Sequence, residues 1–379
     1  MKKMLMLASV ASMIDQFNIP NIEILQQQGY EVHVACNFEK GSTCSAERIG
    51  ELKKKLDSMN VTYFQIDFSR NVLKINEIIK AYKQVKELCT REKYEFIHCH
   101  SPIGGVTGRL VGHATETKVI YTAHGFHFFK GAPVTNWLLY YPIEKWLSKY
   151  TDILITINQE DYERAKKKFK AKKVIKIPGI GLNTEGIFSR NVDRNEIRTQ
   201  IQIPQEAFII ISVGELNTNK NQEVIIRAIK KINDKDIYYI LCGIGSKKGY
   251  LENLCKKLEI ADNVKFLGYR NDVIDLCKAS DVFAFPSLRE GLGMAALEGM
   301  ATGLPLITSD IHGINDYSID GISGYKCGRK NTKDYVRAIK NIKENECIKE
   351  KMQINNIAAV KKFDSSKTND IMKRIYLEI

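Results

Sequence analysis

Short apolar runs alternate with longer amphipathic segments along almost the whole chain, and this alternation limits the possible folds more than any other feature. Such runs are typical of parallel strands buried on both faces, and the segments between them carry apolar residues at helical spacing. In the first half we predict strands over residues 4–9, 31–36, 62–66, 96–98, 118–121 and 153–157, and helices such as 21–28 and 74–90. The pattern predicts an α/β fold with parallel sheets.

A break in this alternation divides the chain. Residues 171–184 contain Pro178, Gly179 and Gly181, which favour a hinge between domains. The alternation then restarts, with predicted strands over residues 208–213, 237–242, 264–267, 282–285 and 305–308. A length of 379 residues also favours two domains. We therefore predict two doubly wound, Rossmann-like domains, residues 1–180 and 181–364, that face a central cleft.

The charge balance is basic in an otherwise ordinary globular composition. The chain has 57 Lys and Arg residues against 44 Asp and Glu residues, a formal net charge of +13. This surplus suits a phosphate, an anionic membrane surface or a nucleic acid. The sequence has no zinc-finger spacing, basic zipper or basic sheet motif with aromatic residues, so we expect no nucleic-acid partner.

Cysteine usage and hydropathy indicate the cytoplasm. The nine cysteines are odd in number and form no C-x-x-C pair, which predicts reduced thiols. The apolar start contains Asp15 and fits a first strand better than a signal peptide, and no apolar stretch is long enough to span a membrane. Two segments leave peripheral membrane contact open. One has six lysines between residues 166 and 173, and the other, residues 128–148, contains Trp137 and Trp146. Each of these segments also fits an ordinary helix of the fold.

Residues 285–305, FPSLREGLGMAALEGMATGLP, carry the most chemical information. They predict a strand end, a turn, and a helix that begins near Gly293. Gly291 and Gly293 allow close approach of the backbone to a ligand, and the first helix amides form an anion site suited to a diphosphate. Glu290 in the turn and Glu298 two helical turns later can accept hydrogen bonds from different parts of one elongated ligand, such as a hexose and a ribose.

This segment resembles the donor-site motif of the family 4 glycosyltransferases, retaining enzymes of the GT-B fold. The match covers P-S-x-x-E-G-x-G, a second Glu separated from the first by seven residues, and A-x-G-x-P. The resemblance implies that Glu290 binds hydroxyls of the donor sugar and Glu298 the ribose. It assigns the diphosphate to the amides of Gly291, Leu292, Gly293 and Met294. The GT-B fold also implies a C-terminal helix, residues 365–379, that crosses back to the first domain.

Lys220 is the predicted cation for the leaving diphosphate, which gains charge in the transition state. It lies with Gly214 in SVGELNTNKN, which resembles the family motif G-R-x-x-x-x-K. Glu215 replaces the usual Arg of that motif. Either Lys220 acts with the helix dipole alone, or another basic residue such as Arg289 substitutes.

Two further loops follow predicted strands of the second domain. One contains Gly243, and the other contains Tyr269 and Arg270. Ligands of parallel sheets bind outside the carboxyl ends of the strands, where both loops lie. The resemblance places Tyr269 and Arg270 around the nucleotide base.

Four histidines follow two predicted strands of the first domain, and we expect them to cluster at the cleft: His98, His100, His124 and His127. A zinc site is the alternative, because His is a common metal ligand, but the expected Cys or carboxylate companions are missing. The resemblance assigns His124 to the sugar-transfer site, whereas His98 and His100 fit either a site or a structural role. The D-x-D of Asp234 and Asp236 precedes a strand, at the wrong end for a ligand, so we expect no metal cofactor.

The resemblance as a whole implies a hexosyltransferase. It would move a hexose or N-acetylhexosamine from a nucleoside diphosphate sugar, with UDP favoured, to a glycan acceptor with retention of configuration. Similarity to enzymes of capsule and exopolysaccharide assembly implies an acceptor carried on polyprenyl diphosphate. Two alternatives stay open, a sugar-nucleotide epimerase or hydrolase of the same fold and a non-catalytic subunit that docks at membranes.

Overall fold

The structure is a computed structural model that describes residues 2–40, 45–69 and 74–379. The chain divides into two compact units, which we call the first unit, Met1–Ile180 with Ser366–Ile379, and the second unit, Gly181–Ser365. Each unit contains one sheet with parallel strand pairs and helices packed against it. The predicted α/β class with two Rossmann-like domains is confirmed.

The first unit contains a seven-stranded sheet in the order β3-β2-β1-β4-β5-β6-β7. Its strands are β1 Lys2–Leu7, β2 Tyr30–Cys36, β3 Thr62–Gln65, β4 Phe96–His100, β5 Lys118–Ala123, β6 Ile153–Thr156 and β7 Lys173–Lys176. Its helices, numbered along the whole chain, are α1 Ala11–Phe17, α2 Ile19–Gln27, α3 Ala46–Ser58, α4 Ile75–Glu92, α5 Pro102–Ala114, α6 Val134–Leu147, α7 Gln159–Lys168 and α16 Ser365–Glu378.

The second unit contains a six-stranded sheet in the order β10-β9-β8-β11-β12-β13. Its strands are β8 Phe208–Val213, β9 Ile237–Cys242, β10 Val264–Gly268, β11 Val282–Phe285, β12 Leu306–Ser309 and β13 Gly324–Cys327. Its helices are α8 Thr184–Phe188, α9 Arg194–Gln200, α10 Glu223–Ile232, α11 Lys248–Lys257, α12 Val273–Lys278, α13 Met294–Ala301, α14 Thr332–Glu344 and α15 Glu346–Val360.

Two strands are additional to the predicted set, and both lie at a sheet edge. Strand β7 reads KVIK and lies inside the segment predicted as a hinge, while β13 reads GYKC. An edge strand has one neighbour and keeps charged residues in water, so its apolar run is too short to stand out in the sequence. The division between the units falls after β7, between Ile180 and Gly181, and so within the segment predicted as a hinge.

Strand order reverses once in each sheet. In the first unit the reversal lies between β1 and β4, and in the second unit between β8 and β11. Loops diverge at such a point and leave a crevice at the carboxyl ends of the strands, where α/β proteins bind ligands. Each unit therefore has one favoured place for a site.

The cysteines of the described residues are reduced. All eight cysteines among the described residues are free thiols, and seven of them are buried; Cys44 lies outside the described residues. Burial raises the pKa of the Cys99 thiol to about 12, so this sulfur is protonated at neutral pH. Within the described ranges, no helix combines the length and the apolar character that a membrane span requires.

Candidate active site

Lys220 and Glu290 form an ion pair at the strand-order reversal of the second unit. Lys220 lies in the loop between β8 and α10, and Glu290 lies in the loop between β11 and α13. The Lys220 Nζ atom is 2.6 Å from Glu290 Oε2, and the two side chains are 22% and 18% exposed. Lys220 Nζ also lies 4.6 Å from the centre of the Phe285 ring. This partial exposure leaves both charged groups accessible to a ligand.

Two asparagines hold the loop of Lys220 against the loop of Glu290. Asn219 Nδ2 donates to the carbonyl oxygen of Arg289 at 3.0 Å, and Leu288 N donates to that of Asn219 at 2.7 Å. Asn221 Nδ2 donates to the carbonyl oxygens of Pro286 and Arg329. Asn221 has φ 55°, a left-handed conformation that Asn tolerates better than most residues. This role was not predicted from the sequence, although the asparagines on both sides of Lys220 were a signal.

Glycine allows two loops of the second unit to approach each other closely. Gly243 has φ 147°, and a Cβ atom there would lie 2.0 Å from the carbonyl oxygen of Gly214. Gly243 N donates to the carbonyl oxygen of Gly268 at 2.6 Å. The loops that follow β8, β9 and β10 are therefore packed backbone against backbone beside Lys220. Any larger residue at Gly243 would separate them.

Helix α13 begins at Met294, one residue from the predicted start. Gly293 caps it with φ 91°, and a Cβ atom there would lie 2.6 Å from the Phe285 ring and 3.1 Å from Glu290 Cγ. The first amides of a helix have no partner within it, and the helix dipole favours an anion at this end. The N-terminus of α13 therefore lies directly beside the Lys220–Glu290 pair. This arrangement can bind a phosphate.

Glu298 lies on α13 and differs from Glu290 in its surroundings. Within the described part of the chain its carboxylate has neither a hydrogen bond nor an ion pair, and the side chain is half-buried. Burial raises the pKa of this carboxyl group. A half-buried carboxylate without a protein donor can accept hydrogen bonds from ligand hydroxyls.

The first unit holds a row of three histidines at the ends of β4 and β5. His98 Nδ1 lies 2.8 Å from the Tyr376 hydroxyl of α16, and its Nε2 lies 2.8 Å from Thr122 Oγ1. His100 Nδ1 lies 3.2 Å from His124 Nε2. Burial lowers the pKa of His98 to about 3 and that of His124 to about 4, and it lowers the pKa of His100 in the same direction. All three rings are therefore neutral at physiological pH.

Only His124 of this row is open to a ligand. His98 and His100 are buried, whereas His124 is half-buried and its ring centre lies 5.6 Å from that of Phe17. His98, with both ring nitrogens bonded, is a structural residue. The expectation of four clustered histidines was wrong, because His127 packs instead on Tyr140, with 4.6 Å between ring centres.

Comparison with known proteins agrees with this geometry. The family model Glycosyl transferase 4-like matches residues 3–158, and Glycosyl transferases group 1 matches residues 193–360. A protein named glycosyltransferase EpsD, from Bacillus subtilis, is 35% identical over 382 residues, which cover 99% of this chain and 96% of that protein. The chain belongs to the family 4 glycosyltransferases.

Two further relatives of this family 4 glycosyltransferase bear on its fold and function. The UDP-Gal:alpha-D-GlcNAc-diphosphoundecaprenol alpha-1,3-galactosyltransferase of Escherichia coli is 26% identical over 98% of this chain and 95% of that protein. The crystal structure of Anabaena HepE in complex with UDP-glucose superposes with a TM-score of 0.80 at 17% identity, over the full length of both chains. The second likeness shows that the fold is GT-B.

The remaining predicted residues of the glycosyltransferase are more dispersed. Tyr269 is 74% exposed, and the Arg270 guanidinium is held by Asp272, with Nε 2.7 Å from Oδ1. Glu215 is exposed, and in the described residues its carboxylate contacts neither Lys220 nor another cation. Arg289 is also exposed, and no acidic group in the described ranges pairs with it.

The structure therefore brings together Lys220, Glu290 and the start of α13. Among the residues that it describes, no second cation pairs with Glu290. Asp234 of the D-x-D sequence forms an ion pair with Lys343. Among the residues that the structure describes, no group of three His, Cys, Asp or Glu side chains could hold a metal ion.

Proposed function

We propose that this glycosyltransferase moves a hexose or N-acetylhexosamine from a UDP-sugar to a glycan carried on polyprenyl diphosphate, with retention of configuration, in polysaccharide biosynthesis. The observation that carries the proposal is the contact of Lys220 with Glu290 at the N-terminus of α13. Glu298, on the same helix, has no partner among the residues that the structure describes. The Escherichia coli relative, whose name gives UDP-galactose and a diphosphoundecaprenol-linked acceptor, supports the choice of donor and acceptor class.

The groups of the second unit suit successive parts of the donor. Lys220 and the first amides of α13 are assigned to the diphosphate, because a cation and a helix N-terminus both stabilise the charge that develops on a leaving diphosphate. Glu290 is assigned to the sugar hydroxyls and Glu298 to the ribose. In the free protein Glu290 neutralises Lys220. Arrival of the diphosphate then gives Lys220 a new anionic partner and frees Glu290 oxygens for the sugar.

His124 of the first unit is assigned to the transfer step. One nitrogen of its neutral ring lies close to His100. The ring can form a hydrogen bond with a hydroxyl of the donor or acceptor, but it carries no positive charge. We propose a front-face reaction in which the leaving diphosphate accepts the proton of the acceptor hydroxyl as the new glycosidic bond forms. No metal cofactor is proposed, because Lys220 and the helix dipole supply the positive charge.

The site of action that we propose is the cytoplasmic face of the membrane, where a polyprenyl-linked acceptor and a nucleotide sugar meet. Ser9 is a candidate for acceptor contacts at the end of β1. Its hydroxyl lies 2.8 Å from that of Ser101, at the start of α5. The chain continues from Ser9 into helix α1.

A donor screen by thermal shift tests the proposal. UDP-sugars should stabilise the purified protein with and without chelator, by about 2.7 kcal/mol at a hundredfold excess over Kd, whereas GDP- and ADP-sugars should not. Lys220→Met should abolish the shift, and Lys231→Met, at an exposed position of α10, should keep it. Stabilisation by another nucleotide class, or stabilisation that the chelator removes, would contradict the donor or the metal-free assignment.

A further inference from the structure

Helix α6 presents an apolar face to solvent. Five large apolar side chains of this 14-residue helix are exposed by 40% to 74%. We call them the α6 apolar face: Val134, Leu138, Leu139, Ile143 and Trp146. Exposed apolar residues scattered singly are normal on a soluble protein, but five on the solvent-facing half of one helix indicate an interaction surface.

The opposite side of α6 is attached firmly to the first unit. Glu144 is buried and accepts a hydrogen bond from the buried Arg109 guanidinium at 2.7 Å. Trp137 is partly buried and packs with the core cluster of this unit. A buried ion pair fixes the rotation of the helix, because its loss would leave an unpaired charge inside the protein. The orientation of the apolar face toward solvent is therefore set by the fold.

The charges around the α6 apolar face are positive. Lys145 is exposed on the same helix, and Lys149 follows it, with Nζ 5.2 Å from the Trp146 ring centre. Glu144 is the single acidic residue of the helix sequence, and it is turned inward to Arg109. Lysines beside exposed Leu, Ile and Trp are typical of helices that lie in the interface of an anionic bilayer.

We propose that the α6 apolar face inserts into the interface of an anionic lipid bilayer, with Lys145 and Lys149 at the lipid phosphates. Trp146 lies at the headgroup level in this arrangement, where its amphipathic ring is favoured. The proposal deepens the assignment of a lipid-linked acceptor by naming the surface that meets the lipid. Its test uses no substrate, so failure of this proposal is distinguishable from failure of the proposed function.

Tryptophan fluorescence of the full-length protein gives a direct readout, because the chain contains only Trp137 and Trp146. Vesicles of phosphatidylglycerol and phosphatidylcholine should shift the emission to the blue, and brominated acyl chains should quench it. Trp146→Phe should remove both effects, although Trp137 is still present. Vesicles of phosphatidylcholine alone should bind more weakly, and added salt should weaken binding to the anionic vesicles.

Two leucines of equal exposure provide a matched pair of variants. Leu138 of the α6 apolar face and Leu377 of α16 are both 74% exposed, and both lie in the first unit. Leu138→Gln should weaken vesicle binding by about tenfold, the cost of one leucine that no longer enters the interface. Leu377→Gln should leave it unchanged. The thermal unfolding of both variants should match the parent protein, because neither side chain is in a core.

Three results would overturn the proposal. The first is the absence of binding to anionic vesicles by the folded protein, and the second is equal binding by the Leu138→Gln and Leu377→Gln variants. The third is binding without a change in Trp146 emission, which would indicate adsorption through other lysines. A change in oligomeric state that Leu138→Gln abolishes, without vesicle binding, would assign the same face to a protein partner instead.

Discussion

Glu290 and Glu298 belong to one sequence motif, yet their surroundings differ in the free protein. Glu290 has a cation 2.6 Å from one oxygen, whereas Glu298 has no partner among the described residues and a raised pKa caused by burial. An ionised carboxylate that is half-buried without a donor lowers stability. Such a residue is explained if a ligand supplies the missing hydrogen bonds.

The substitution Glu298→Gln should therefore change donor affinity and the free energy of unfolding in different ways. Without the charged acceptor, donor binding should weaken by about tenfold or more, because hydrogen bonds to charged groups contribute ~1.5–3 kcal/mol. The free energy of unfolding should be equal or higher, since the amide costs less to bury. Donor titration and urea unfolding measure the two effects, and Glu350→Gln, at an exposed position of α15, is the control. A destabilised variant with unchanged donor affinity would make Glu298 a structural residue.

The side chains of the site could be predicted only in part. Glu290, Glu298 and Lys220 could be proposed from the sequence because each lies in a motif of neighbouring residues, and their roles stay predictions. Asn219 and Asn221 were missed, because an amide that bonds a backbone carbonyl about 70 residues away leaves no pattern in the sequence. His127 was misplaced for a related reason. Spacing along a loop does not determine which way a ring turns, and its contact with Tyr140 of α6 decides that.

At the scale of elements, the ends of β4 and β5 are joined to α16 by a buried hydrogen-bonded row. Tyr376 of α16 contacts His98, which contacts Thr122 of β5. The pKa of His98 is held at about 3 by burial, well below the ~6.5 of an unfolded histidine. Between pH ~6.5 and pH ~3, His98 therefore becomes protonated in the unfolded state but stays neutral in the native state.

This difference predicts that the first unit loses stability in acid. A histidine with a lowered native pKa stabilises the fold above pH ~6.5, and that contribution falls by up to ~1.4 kcal/mol per pH unit as the pH drops toward 3. His98→Gln should destabilise the protein at neutral pH but flatten the fall between about pH 6 and pH 4. Urea unfolding followed by tryptophan fluorescence reports the first unit, which contains both tryptophans.

The matched control is His113→Gln, at an exposed position of α5. It should keep the full dependence of stability on pH. If His98→Gln keeps the same dependence as the parent protein, the neutral buried histidine is not the cause of the acid sensitivity.

Elements and architecture were more predictable than the site. Apolar runs mark most strands in the sequence, and eleven strands were placed to within two residues. The edge strands β7 and β13 were missed, because two of the four residues in β7 and one of the four in β13 are lysines. The motif residues also fixed the family, which the relationship to EpsD over 99% of the chain confirms.

At the scale of the whole molecule, each unit carries its candidate residues at the carboxyl ends of its strands. His124 follows β5 in the first unit, and Lys220 and Glu290 follow β8 and β11 at the strand-order reversal of the second. Each of the two Rossmann-like units therefore presents its own set of polar side chains at the carboxyl ends of its strands. This arrangement suits a reaction with two substrates, a donor and an acceptor.

The most direct test of the proposed reaction is transfer from a UDP-sugar to a polyprenyl-diphosphate-linked glycan in the presence of chelator, with release of UDP and the anomeric configuration of the product both measured. We predict acceptor-dependent release, a product with the configuration of the donor, and a loss of about a hundredfold or more in kcat/KM for Glu290→Gln. UDP release that does not need the acceptor, or transfer that Glu290→Gln leaves intact, would contradict the account.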